Sequence, residues 1–509
     1  MTWREWDDQA SRVAGWLESV GVGEGSRVAL IAHNCPELFV LVHASFKLRA
    51  VPAPLNYRYR ATELAEVIAD SGATVAFFDA SLADEVAGAR ELTPLVDHWV
   101  SIDDGAPLPS WSLDLAELLA SPPAARQVRS SDDLLLQYTG GTTGRPKGVM
   151  WDHLGILRLT SLASYMPLGL GLPETVEDMV AIAANHVAAG KAPRYLVSVP
   201  LMHGTGFWGS CSQLQIGGTL ILLDGHSFNA AEMLTVMAEH EISSIVLVGD
   251  AFAQPLVEEL DRAAEAGAPY DLTALQGVTS SGVAFSAPYK RRLMAHAPNA
   301  LIMEVIGGSE SSALATALTM PGTDPPDTSV FTADPQTVLV DINRIVPWGS
   351  PGIYLLGFGG PLPKGYLGDP TKTAATFREI DGRRYLVSGD MGSIDADGTL
   401  RFIGRGNTVI NTGGEKVFPA EVEEVVKLHP AVRDCLVVGV PDQRFGSVVA
   451  AVVALQPGES LDLDGLASHT RSMLAGYKAP RRLAIVDAIR RSAAGKSDYR
   501  WAAERFSSQ

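Results

Sequence analysis

Between Tyr138 and Val149 the chain reads Y-T-G-G-T-T-G-R-P-K-G-V. Glycines stand at Gly140, Gly141, Gly144 and Gly148, threonines at Thr139, Thr142 and Thr143, and cations at Arg145 and Lys147. Glycine lacks Cβ and adopts positive φ freely, so successive backbone N–H groups can turn inward onto an anion. Hydroxyls and an ammonium group add further donors. The apolar run Leu134-Leu135-Leu136 just before it reads as a strand end, which makes the stretch an anion cradle at a strand tip. It is not the Walker pattern, which needs Gly-Lys-Ser/Thr opening a helix. Here Pro146 precedes the lysine and Gly148 follows it.

Further polar clusters punctuate the chain. Ser198–Gly206 (S-V-P-L-M-H-G-T-G) sets His203 between a proline and two glycines, on a strand-end loop where functional groups collect. Ser281 and Gly282 lie in a turn of small residues after a strand. Glu304–Ser311 (E-V-I-G-G-S-E-S) carries Gly307, Ser309 and Glu310. Ser388-Gly389-Asp390 is followed fifteen residues later by Arg405. Ile410–Glu423 contains the pair Gly413-Gly414, and Ala494-Gly495-Lys496 stands near the C-terminus.

In this order and spacing, from Thr2-Trp3 to Lys496, these segments resemble the adenylate-forming superfamily of acyl- and aryl-CoA synthetases, peptide adenylation domains and firefly-type luciferases. The resemblance implies that Thr139, Gly140, Gly141, Thr142, Thr143, Gly144 and Lys147 hold the ATP phosphates. Ser281, Gly282, Gly307 and Ser309 would lie against the nucleotide. It implies that Glu310 holds Mg2+, which takes one or two carboxylates plus phosphate oxygens. Asp390, an acceptor with two oxygens, would bind the ribose hydroxyls with Arg405. Lys496, a compact charge on a long stem, would bridge the carboxylate and the α-phosphate. Gly413 and Gly414 would leave a slot for the pantetheine arm of CoA, and Asn407 stands at the family's hinge position. The chain departs from the pattern at Ile306, where the family has an aromatic residue, at Asn407 in place of Asp or Lys, and in its short start.

Length and composition agree. At 509 residues more than one domain is expected. Apolar content of 46% and charged content of 19% are those of a globular protein. A formal charge of −18 argues against general nucleic-acid binding. No uncharged apolar run reaches about 18 residues, so no integral membrane segment is expected. The charged, aromatic N-terminus is not a signal peptide. Three scattered cysteines imply neither disulfides nor a zinc site, which fits a reducing cytoplasm. Between Arg471 and Arg505 nine Lys/Arg face only Asp487, Asp498 and Glu504, a basic tail able to receive a polyanion.

These clusters need a scaffold. Up to residue 130, helical patterns (6–20, 37–48, 61–70) alternate with strands (27–32, 50–53, 73–78), which predicts parallel sheet covered by helices. Further strands follow at 195–200, 219–223, 244–248 and 277–280, and short strands after Pro335 predict a small β subdomain. The fold expected is a large multi-layer α/β domain over 1–404 and a small mobile α+β domain over 405–509. ATP, Mg2+ and CoA would be the cofactor and co-substrates, and the partner a small carboxylic acid; a homodimer stays open. An acyl pocket drawing on His203, Phe207, Val248 and Phe252 holds no Lys or Arg, which favours a hydrophobic acid of fatty or steroid side-chain type. An adenylation domain loading a carrier protein and a non-catalytic adenylate-binding protein are the alternatives.

Overall fold

The computed structural model describes residues 1–140, 146–282, 285, 287–326, 329–405, 410–417, 419–490 and 499–506. Among them the strands form four sheets. The first is parallel throughout, in the order Val51–Pro54, Arg27–Ile31, Val75–Asp79, His98–Ile102, Leu113–Asp114. Its strands read as unbroken apolar runs because both faces are covered. Val28 and Leu30 pack with Ala10, Val13 and Leu17 of helix Trp3–Ser19. Ala29 and Ile31, pointing the other way, pack with Leu64, Val67 and Ile68 of helix Ala61–Ser71. The first helix starts three residues before the expected Trp6 because Thr2 caps it. The Thr2 backbone N–H donates to Glu5 at 2.7 Å, and its hydroxyl accepts from the Glu5 N–H at 3.3 Å.

The second sheet has 14 strands. Thr219–Ile221, Arg194–Leu196, Ser244–Leu247, Gly277–Ser281 and Leu301–Gly307 are parallel neighbours, as the alternating pattern predicts. From Ala313–Thr319 onward the pairing turns antiparallel. Through Phe331–Ala333 and Thr399–Arg405 it runs into the short strands after Pro335, so the β subdomain continues the main sheet. The third sheet is the hairpin Leu134–Gly140 and Pro146–Asp152 with Gly365–Tyr366 at its edge.

The fourth sheet draws all its strands from Ile410–Thr412 to Arg482–Val486. Helices Pro419–Lys427 and Leu463–Arg471 cover one face, through Val422, Val426 and Leu466. Ala502 and Phe506 cover the other, packed on Leu436 and Val438. The large α/β unit and the smaller α+β unit are thus both present. Arg405 ends a strand of the large unit; Asn407 lies outside the described residues. No helix among the described residues is long and apolar enough to cross a membrane.

Candidate active site

The hairpin that carries the anion cradle is pinned on both sides. The Tyr138 hydroxyl donates to Asp70 at 2.7 Å. The buried Gln137 amide donates to the carbonyl of Met202, which ties the hairpin to the loop before His203. Asn34 secures the same loop, donating to the Val199 carbonyl at 2.9 Å and accepting from the Leu201 N–H at 2.8 Å. Thr139 and Lys147 face each other in register across the hairpin. Gly141, Thr142, Thr143 and Gly144 lie outside the described residues, and Gly140 is described only in its backbone. Lys147 is paired with Asp369, whose carboxyl that hydrogen bond holds below its ordinary value, and sits 5.8 Å from the Tyr366 ring centroid.

The other predicted nucleotide contacts stand at strand ends of the second sheet. Ser281 closes Gly277–Ser281, and Gly282 follows at φ +93°, a conformation that favours glycine. Gly307 closes Leu301–Gly307 at a bulge. The Ser309 carbonyl accepts from Trp151 Nε1 at 2.9 Å, and Glu310 accepts from the Tyr366 hydroxyl at 3.0 Å. That bond fixes one carboxylate oxygen and directs the other, the arrangement a Mg2+ ion bound partly by phosphate oxygens can use. Ile306 packs against the large core. Asp390 accepts from the Ser388 hydroxyl at 2.6 Å and lies opposite Arg405 in the antiparallel pair, so the two expected ribose contacts are neighbours on the backbone.

The small unit meets this edge through one hairpin. Gly413 and Gly414 form its two-residue turn, both with positive φ (57° and 86°), which suits the twist of the flanking strands. A Cβ on Gly414 would lie 2.5 Å from Val248 Cγ1, so only a bare backbone fits there; a Cβ on Gly282 would meet the same methyl at 3.5 Å and the Gly414 Cα at 3.7 Å. His203 stands just before helix Gly204–Gln215, and its Nε2 lies 3.1 Å from Glu415 Oε1. Arg58 pairs with the same Glu415 oxygen. Burial pushes the Glu415 carboxyl up, but His203, Arg58 and Lys478 outweigh it and bring it down to about 2. Phe207 is buried against Phe39 and Trp208, and the half-buried Phe252 packs against Phe228.

A second contact lies behind the turn. The buried Lys478 of the small unit is paired with Glu63 of the large unit, at 2.7 Å, and with Glu421 of its own. Burial alone would lower the Lys478 ammonium, yet the two carboxylates raise it. Burial, with Glu63 close by, raises Glu421. Asn56 donates to the Tyr477 hydroxyl at 3.3 Å and Arg60 to the Arg471 carbonyl at 3.0 Å. None of Arg58, Glu63, Glu415, Glu421 or Lys478 stood out in the sequence. Lys496 lies outside the described residues.

The chain matches the AMP-binding enzyme family over residues 1–367 and the AMP-binding enzyme C-terminal domain over residues 421–496. It is 37% identical over 512 residues to a 3-oxocholest-4-en-26-oate–CoA ligase of Rhodococcus rhodochrous, covering 99% of this chain and 91% of that one. It is 36% identical over 509 residues to a medium/long-chain-fatty-acid–CoA/3-oxocholest-4-en-26-oate–CoA ligase of Mycolicibacterium smegmatis, with the same coverage. The fold is shared with the amide bond synthetase McbA of Marinactinospora thermotolerans, at a TM-score of 0.82 and 24% identity over 99% of this chain and 95% of that one. The chain belongs to the AMP-binding enzyme family, in its acyl-CoA synthetase branch. ATP, CoA and a small carboxylic acid are the substrates of that class.

Proposed function

We propose that this chain activates a hydrophobic carboxylic acid of fatty or steroid side-chain type as an acyl-adenylate and then passes the acyl group to CoA. In the first half-reaction a carboxylate oxygen attacks the α-phosphorus of ATP and pyrophosphate leaves. In the second the CoA thiol attacks the acyl carbonyl and AMP leaves. The observation that carries the reading is the bare Gly413-Gly414 turn seated on Val248, with His203 and Glu415 beside it.

In this reading the 139–147 loop holds the β- and γ-phosphates, and the ammonium of Lys496 offsets charge at the α-phosphate. Removing one such group costs about 3–4 kcal/mol, or roughly 10²–10³ in rate. Glu310 would hold Mg2+, which supplies further charge neutralisation when bound. Asp390 and Arg405 take the ribose, and Ser281, Gly282, Gly307 and Ser309 line the nucleotide. Arg444 and Arg481 stack on Phe445, at 5.2 and 4.0 Å, and the Phe445 carbonyl accepts from the Gly413 N–H. Two cations beside the turn suit the phosphates of CoA.

Units 1–404 and 405–509 rotate about Asn407 between the half-reactions, exchanging Lys496 for the glycine turn. The acyl pocket draws on His203, Phe207, Val248 and Phe252. Neither 198–211 nor 244–254 contains Lys or Arg to meet a second carboxylate, and the relatives named above act on fatty and cholestenoic acids. The proposed substrates and the three free cysteines support a cytoplasmic placement.

The purified chain, given ATP, Mg2+, CoA and a panel of medium- and long-chain fatty acids and steroid acids, should release pyrophosphate and form a thioester on free CoA. Lys496→Ala should abolish adenylate formation but spare thioester formation from supplied acyl-adenylate. Thioester on a carrier protein alone would replace CoA as acceptor, and no pyrophosphate from any acid would end the assignment.

A further inference from the structure

A second cluster, not used by the ligase chemistry, lies at the far ends of the first sheet. His33 follows strand Arg27–Ile31, Asp104 follows His98–Ile102, and His226 sits in the loop after Thr219–Ile221 of the second sheet. One nitrogen of each histidine and one carboxylate oxygen of Asp104 all lie within 4.8 Å of one another. The rings of His33 and His226 are parallel, at a centroid distance of 3.9 Å and 4°.

The surroundings fix His33 and Asp104. Asp79, almost fully buried, accepts from the His33 backbone N–H and from its Nδ1, both at 2.7 Å. A carboxylate can only accept, so Nδ1 carries the proton and Nε2 is left as the lone-pair nitrogen. This is the carboxylate–histidine arrangement that orients metal-binding imidazoles. Asp104 is held by the Ser81 and Ala106 N–H groups, at 3.1 and 3.3 Å.

We propose that His33, Asp104 and His226 bind one divalent cation of the zinc class. Two imidazoles and a carboxylate suit zinc and its neighbours better than Mg2+, which prefers oxygen ligands. Metal–ligand bonds of about 2.0–2.2 Å need donors roughly 3.3 Å apart, each imidazole holding the ion in its ring plane, so the exposed His226 ring must turn out of its stack on His33 and close a gap of up to about 1.5 Å. The fourth position belongs to water. The bound ion ties the first sheet to the second. It also braces Tyr57, whose ring lies 4.2 Å from His33 and which precedes the Arg58 that grips Glu415.

The test is calorimetric titration of Zn2+, Co2+ or Mg2+ into the chelator-treated, dialysed full chain, with thermal unfolding followed in parallel. One equivalent of Zn2+ should bind and raise the melting temperature. His226→Ala and Asp104→Asn should each weaken binding at least tenfold, and Asp79→Asn roughly 10–100-fold. His226→Ala should melt like wild type without metal, because the residue is exposed. No saturable equivalent, equal Zn2+ affinity in His226→Ala, or displacement of Zn2+ by equimolar Mg2+ would each overturn the proposal.

Discussion

His203 Nε2 stands 3.1 Å from Glu415 Oε1, although 212 positions separate the two residues and they belong to different units. Arg58 shares the same oxygen, so one carboxylate of the small unit is gripped from two elements of the large one. Glu415 directly follows Gly414, and the grip therefore sets where the glycine turn lies. Glu415→Gln keeps the shape and removes the charge. A hydrogen bond to a charged group contributes about 1.5–3 kcal/mol, so thioester formation from supplied adenylate should fall roughly 10–100-fold. ATP–pyrophosphate exchange should stay near wild type. Equal loss in both assays would show that Glu415 merely supports folding.

Gly414→Val tests the slot itself. Its Cβ would stand 2.5 Å from Val248 Cγ1, and the backbone has φ +86°. A branched residue there adds about 1–3 kcal/mol of backbone strain to the clash. Thioester formation should drop by at least about 100-fold with exchange retained, and Val248→Ala in the same chain should restore part of it. A single-turnover assay with and without CoA reads both.

Much of this site was legible because its chemistry sits in short local patterns. The strand before the anion cradle follows from residue type, and the linked Asp390 and Arg405 and the paired glycines from the family resemblance that their motifs carry. What holds the units together does not. Arg58 and Glu63 are ordinary charged residues in their own segments, and only docking gives them Glu415 and Lys478 as partners, 357 and 415 positions away. Lys147 shows the same limit. The motif marks it as an anion ligand, but its pairing with Asp369 depends on a helix start 222 residues away. The His33 cluster was equally silent, since its three donors come from three separate loops.

Lys478→Met should loosen the docked arrangement. Removing one member of a buried ion pair costs about 3–5 kcal/mol, because the partner charges stay buried. Here Glu63 and Glu421 would be left facing each other without the ammonium. Chemical denaturation should register the loss, and limited proteolysis near residues 405–410 should speed up. Adding Glu421→Gln should recover part of the stability; no recovery would mean that Lys478 acts by packing alone.

Acid should weaken the same docking through Glu415. Its carboxyl is held at about 2, below the ordinary 4.5, so the bound state favours the charged form. A depressed acid contributes stability that is complete above about pH 4.5 and fades as pH falls toward about 2. The difference in melting temperature between wild type and Glu415→Gln should therefore be flat above that window and shrink within it. A difference that instead grew on acidification would reverse the sign and remove Glu415 from the docking contact.

Gly414 and Gly282 both face the Cγ1 methyl of Val248, and the two glycines adjoin one another. A single isopropyl group is thus the floor on which a turn from each unit comes to rest. Side-chain size at this one position cannot be tuned for either neighbour alone. Any relative that widens or narrows it must re-fit both the turn that follows a β-strand in the large unit and the hairpin tip of the small one.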